Sequence, residues 1–245
     1  MTAAFPARSQ EEWRYADLEA LKPVWDQFAE PMTLTVGPRE KFEEVWLAGA
    51  EDVQLRRVRL SLGAGAKARI FALNNAPVYG RIEVEVSLEE GADFELMGAN
   101  IGTGVSTNEI VTIVKHLGVD GRSRQTVRSV LNGKAIGSYL GKVEVARGAQ
   151  HSDAEQSIKA MLLDRGAAAN CKPELEIFAD DVKCAHGASV GELDPVQLFY
   201  AESRGLDPAS ARALLLEGFV MGLWDSARDR DAIRSASSEA LRRVV

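Results

Sequence analysis

Through the middle of the chain, apolar and polar residues alternate with a period of two. Val58-Arg59-Leu60-Ser61-Leu62, Ile82-Glu83-Val84-Glu85-Val86-Ser87-Leu88, Phe94-Glu95-Leu96 and Val143-Glu144-Val145 all show it, as do residues 110–114, 126–131 and 175–177. A strand sends successive side chains to opposite faces, so this pattern predicts half-buried strands from about residue 32 to 190. Glycines punctuate them: Gly65, Gly91, Gly118 and Gly148 recur at intervals of 26 (65 to 91), 27 (91 to 118) and 30 (118 to 148) residues. Such a rhythm suits a solenoid of parallel strands, in which each turn buries its apolar face only against the turns above and below. The competing architecture, a β-sandwich, places turn glycines at a shorter spacing of about 8–12 residues.

Both ends of the chain change period. Ser9-Gln10-Glu11-Glu12 approximates a capping box, and Trp13, Ala16, Leu18, Ala20 and Leu21 follow with mostly helical spacing, predicting a short helix that stops before Pro23. Near the other end, Asp194-Pro195 supplies an N-cap acceptor and a proline for the first helical position, with Gln197 as capping-box partner and Gly205 as the C-terminal cap. Asp207-Pro208 starts a second helix at once, so the two fold back as a hairpin. Ile233, Ala236, Ala240 and Leu241 predict a third, amphipathic helix. The expected organisation is a helical segment over 1–31, a β-solenoid core over 32–191 and a helical domain over 192–245.

Composition narrows the function classes. The 245 residues carry 29 Lys and Arg against 36 Asp and Glu, a net charge of −7. This is a poor match for nucleic acid or anionic lipid. No apolar run approaches the ~20 residues of a membrane span. Met1-Thr2-Ala3-Ala4-Phe5-Pro6 lacks a basic region followed by an apolar core, and two cysteines are too few for a disulfide framework, so a cytoplasmic protein is expected.

Chemistry concentrates at Asp180-Asp181-Val182-Lys183-Cys184-Ala185-His186-Gly187-Ala188-Ser189. In an extended chain Cys184 and His186 project from one face, and both could reach one metal. Two donors leave the coordination sphere incomplete. His116, His151 or a partner chain could supply the rest, while the bland alternative is a buried thiol and a satisfied histidine. Cys171 lies at a strand entry with no metal-site spacing to Cys184 and is assigned a structural place. Phosphate-binding loop, dinucleotide and His-Glu-x-x-His motifs are absent from the sequence. Asp180 and Asp181 are adjacent, so in a strand they point apart, which weakens a carbohydrate-cleaving reading of the solenoid.

The run from Lys172-Pro173-Glu174-Leu175-Glu176-Ile177-Phe178-Ala179-Asp180-Asp181 through Cys184-Ala185-His186-Gly187-Ala188-Ser189-Val190-Gly191 closely resembles the C-terminal signature of the SufB/SufD family of SUF iron–sulfur cluster assembly proteins. The likeness continues through Asp194, Gln197-Leu198-Phe199-Tyr200, Ser203-Arg204-Gly205-Leu206, Ala211 and Glu217-Gly218-Phe219, and Glu12-Trp13-Arg14-Tyr15 is similar to an N-terminal tryptophan motif of the family. Cys-x-His-Gly-Ala-Ser resembles the form of the SufD branch, of which this would be a short member. The resemblance implies a right-handed parallel β-helix with a helical C-terminal domain, and a non-enzymatic scaffold rather than a catalyst. It implies two partners: SufB at an interface near residues 180–191, and the ATPase SufC docked on the helices at about 194–224. It also implies that His186, with Cys184 beside it, helps to hold iron or a transient iron–sulfur cluster shared with SufB. A SufB-like homodimeric scaffold is the neighbouring alternative, and the isolated chain is expected to self-associate through the strand edges of its last turn.

Overall fold

The computed structural model describes residues 4–245; the first three residues of the expected N-terminal segment, with the start of the stretch read for a leader, lie outside it. Twelve strands form the core: β1 (Met32–Val36), β2 (Lys41–Ala48), β3 (Val53–Leu62), β4 (Lys67–Asn74), β5 (Tyr79–Leu88), β6 (Asp93–Gly102), β7 (Thr107–His116), β8 (Arg122–Leu131), β9 (Ile136–Val145), β10 (Asp153–Leu162), β11 (Ala168–Ile177) and β12 (Lys183–Gly191). Odd strands make one six-stranded sheet in the order β1-β3-β5-β7-β9-β11, and even strands the other, β12-β10-β8-β6-β4-β2. All pairings are parallel, as a solenoid requires.

Alternation along each strand becomes columns across the sheets. Leu60, Val86, Val114 and Val143 stack in register on the inner side of the odd sheet, and all four are buried. One turn takes 26 residues early in the coil, where Arg57 lies beside Glu83, and 32 near its end, where Asn170 lies over Ser138. The lengthening occurs in the turns and explains where the glycine rhythm drifts from the structure. The left-handed turn position is Gly65 and then Gly91, but in the next two turns it is Asp120 (φ 59°) and His151 (φ 61°) rather than Gly118 and Gly148. Asp and His are among the residues that tolerate this conformation best. Gly118 is needed for a different reason: a Cβ there would lie 2.2 Å from the Glu90 backbone nitrogen.

The N-terminal segment is more broken than its periodicity suggests. A 3₁₀ turn (Glu11–Trp13) precedes α1 (Leu18–Leu21), capped by the Asp17 side chain, and Pro23 sits inside a further 3₁₀ turn before α2 (Trp25–Phe28). Proline is tolerated there because the first residues of a helical turn need no N–H partner. Trp13, Leu21 and Trp25 pack with Leu55 and Tyr79 on the outer face of the odd sheet.

The helices α3 (Pro195–Ser203), α4 (Pro208–Val220) and α5 (Arg230–Arg242) begin and end much as the caps predict. Asp194 accepts from the Val196 N–H, Asp207 accepts from the Ala209 and Ser210 N–H groups, and Gly205 takes a φ of +96° after α3. From Leu216 onward this segment lies on the outer face of the even sheet, where Val220, Leu223, Trp224, Ile233 and Leu241 share a core with Phe71, Leu73, Ile101 and Val130.

Candidate functional site

The last turn carries the site. β12 pairs only with β10 and β11 only with β9, so both have an unpaired edge among the described residues. Most of β12 is exposed. Cys184 stacks in register on Ala154, which stacks on Ser123; His186 stacks on Gln156, which stacks on Gln125. Those lower residues are buried in the lumen of the coil, so the thiol and the imidazole share the lumen-facing side of β12, at the mouth of the coil. The expected common face is therefore present. Their Cα atoms are about 7 Å apart, two residues along a strand.

The two groups differ in readiness to bind. His186 is exposed and has no hydrogen-bond partner among the described residues, leaving its ring nitrogens available. Cys184 is half-buried against the core. Burial pushes its thiol up, against a hydrogen bond from the Ala154 backbone, so the thiol is protonated at neutral pH and can ligate a metal only by releasing that proton. Cys171, on β11, also packs against the lumen core and its thiol is raised by burial, in keeping with a structural place.

The other candidate ligands are elsewhere. His116 is fully buried; its Nε2 lies 2.9 Å from Ser123 Oγ, and burial lowers its pKa to about 4. His151 stands on the outer edge of the coil between two carboxylates, with Nδ1 3.3 Å from Asp120 and Nε2 3.3 Å from Asp181. Asp180 and Asp181 lie in the turn before β12 rather than in a strand. Among the described residues no three His, Cys, Asp or Glu side chains are grouped to hold a metal ion. Cys184 and His186 thus offer two donors on one face, with no third beside them among the described residues.

Two polar clusters escaped the sequence reading. Beneath the N-terminal segment, Arg81 and Glu109 are completely buried and paired at 3.1 Å, with Tyr79 donating to Glu109 and Arg81 also held to Glu83 at 2.8 Å. Trp13 covers this network with its ring 3.8 Å from the Arg81 guanidinium, and Glu12 O accepts from Arg81. Burial raises the Glu109 pKa while Arg81 opposes it. The second cluster is Gln125 and Gln156 inside the lumen. Both pairs occupy equivalent positions one turn apart, a signal visible only when the turn length is known.

A second surface stands out on α3 and α4. Val196, Phe199, Tyr200 and Leu214 are largely exposed, although their residue types would ordinarily be buried. No helix among the described residues is long and apolar enough to cross a membrane.

Comparison with known proteins places this geometry. Residues 41–219 match the SUF system FeS cluster assembly, SufBD core domain. The chain is 36% identical over 107 residues to the iron–sulfur cluster assembly protein SufD of Escherichia coli, covering 44% of this chain and 25% of that protein. It is 30% identical over 169 residues to a SufBD family protein of Synechocystis, covering 68% and 37% respectively. Against SufD of Bacillus subtilis it is 32% identical over 120 residues, 49% of this chain and 28% of that protein. The matched segment thus spans between 25% and 37% of the length of these relatives.

Proposed function

The chain belongs to the SufB/SufD family of SUF iron–sulfur cluster assembly proteins and is SufD-like, and from that premise we propose that it is a non-enzymatic scaffold subunit acting in the cytoplasm, where His186 helps to acquire iron and form clusters at an interface with SufB. The observation that carries this reading is the exposed, unpartnered imidazole on the free edge strand of the coil. An unpaired edge is a template for another chain's strand, so a partner seated along residues 180–191 would bring its own ligands to Cys184 and His186. Iron and the nascent cluster are cargo. Neutral imidazole is a weaker anchor for them than thiolate, and a site divided between chains loses donors when the chains separate. Such a site suits assembly and release.

The sequence has no phosphate-binding loop, so nucleotide hydrolysis would be supplied by SufC. Its docking surface would be the apolar face of α3 and α4, at about residues 194–224. Because the far end of α4 and the turn after it share a core with Phe71, Ile101 and Val130, displacement of the hairpin would load the even sheet, to whose edge β12 belongs. A second copy of the chain fits the same edge, so self-association is expected when the chain is isolated.

Co-expression with SufB and SufC, followed by sizing and cluster reconstitution, tests the assignment. His186→Ala should leave complex formation intact and abolish cluster maturation; normal maturation in that variant removes His186 from the mechanism.

A further inference from the structure

Inside the last turns the lumen changes character. Gln125 and Gln156 stack in register on β8 and β10, each about 1% exposed, and neither the Nε2 nor the Oε1 of either side chain has a hydrogen-bond partner among the described residues. Nδ1 of His116, whose other ring nitrogen faces Ser123, is likewise unpartnered. Five buried polar atoms left dry would cost as much as the whole net stability of an ordinary domain. Native interiors do not carry that load, so another molecule must satisfy these atoms.

We propose that the lumen beneath His186 is a water-binding chamber lined by Gln125 and Gln156. The chamber lies directly beneath the edge strand: the residue stacked above Gln156 is His186, exposed on that strand. Water fits because each amide offers both a donor and an acceptor, and because the lining is uncharged. Thr112 and Tyr139, facing the same lumen, bond to each other at 2.8 Å, and the His116 imidazole is neutral at physiological pH. An ion entering such a chamber would lose its hydration without gaining a counter-charge, so the chamber rejects ions while admitting small neutral hydrogen-bonding molecules. Charged cargo is thereby kept at the mouth.

The test is oxygen-17 water relaxation dispersion on the full chain, which registers internal waters with long residence times. The wild-type protein should show a long-lived component that shrinks by roughly two waters in Gln125→Met/Gln156→Met, whose apolar side chains leave water nothing to bond. An unchanged amplitude overturns the chamber. A high-resolution crystal structure of the wild-type protein gives an independent reading should the double variant fail to fold. Ordered waters within hydrogen-bond distance of both amides support the proposal, and amides paired with protein groups in a dry lumen refute it. Neither measurement involves iron or a partner chain, so the outcome is independent of the role given to His186 above.

Discussion

The two halves of the solenoid lumen obey different rules. In the early turns, Leu60, Leu62, Ile70, Ile82, Val84, Phe94 and Leu96 fill the interior with hydrocarbon, and all are buried. One turn later, the columns that held Leu88, Phe94 and Leu96 hold His116, Ser123 and Gln125. Backbone pairing is the same in both halves, so the strand ladders run on unchanged while the side-chain content of a column differs along them. The early half secures the fold by apolar burial. The late half gives up some of that burial to place polar groups beneath an open edge.

Perturbing each half in turn tests this division. The largest effect is expected from Phe94→Ala in the early lumen, about 3–5 kcal/mol of lost stability from removed contacts and the cavity left behind. Urea unfolding measures it; a loss below about 1 kcal/mol would mean that the early turns are not the packed half. In the late half the main liability is protonation. The His116 imidazole titrates near 6.5 when unfolded but at about 4 when folded. Between those values the unfolded chain holds the extra proton, so stability is full above pH 6.5, falls as the pH drops through the window, and loses up to about 3 kcal/mol. His116→Leu should flatten that slope in pH-dependent unfolding; an unchanged slope assigns the acid sensitivity to other groups. Gln125→Leu is expected to alter stability by no more than about 1 kcal/mol, since it removes donor and acceptor together, and a multi-kcal/mol loss would show that the glutamine is held by the protein itself. Smallest of all, His186→Ala at the mouth should shift the unfolding midpoint by the equivalent of no more than about 0.5 kcal/mol. A larger change would make His186 part of the structural coil rather than a free ligand.

Much of the architecture was legible because it rests on local rules. The alternation at residues 82–88 reports a strand whichever partner it finds, and Asp194, Asp207 and Gly205 mark helix ends through their own backbone chemistry. Cys184 and His186 were legible as a pair for the same reason: two residues along any strand share a face. The N-terminal segment was harder. Its helical spacing is real, but the turns are short, and Trp13 and Trp25 lie against the Arg81 and Arg57 guanidiniums beneath them, contacts made with residues far along the chain. The Arg81–Glu109 pair was hidden among ordinary strand charges. Its partners are 28 residues apart, a separation that means nothing until the length of that turn is known.

Strand-forming stretches, helix boundaries, the net negative charge and the family signature around His186 can be read along the chain, since each depends on neighbours a few residues away or on composition. Only the folded coil shows which side chains share a column, that Gln125 and Gln156 lie under His186, that His151 belongs to the outer edge, and that the final turn has an unpaired edge among the described residues. The physical reason is that register is set by turn lengths that vary from one turn to the next. Every change in turn length moves a residue to a new neighbour without altering the local pattern of the strand that carries it.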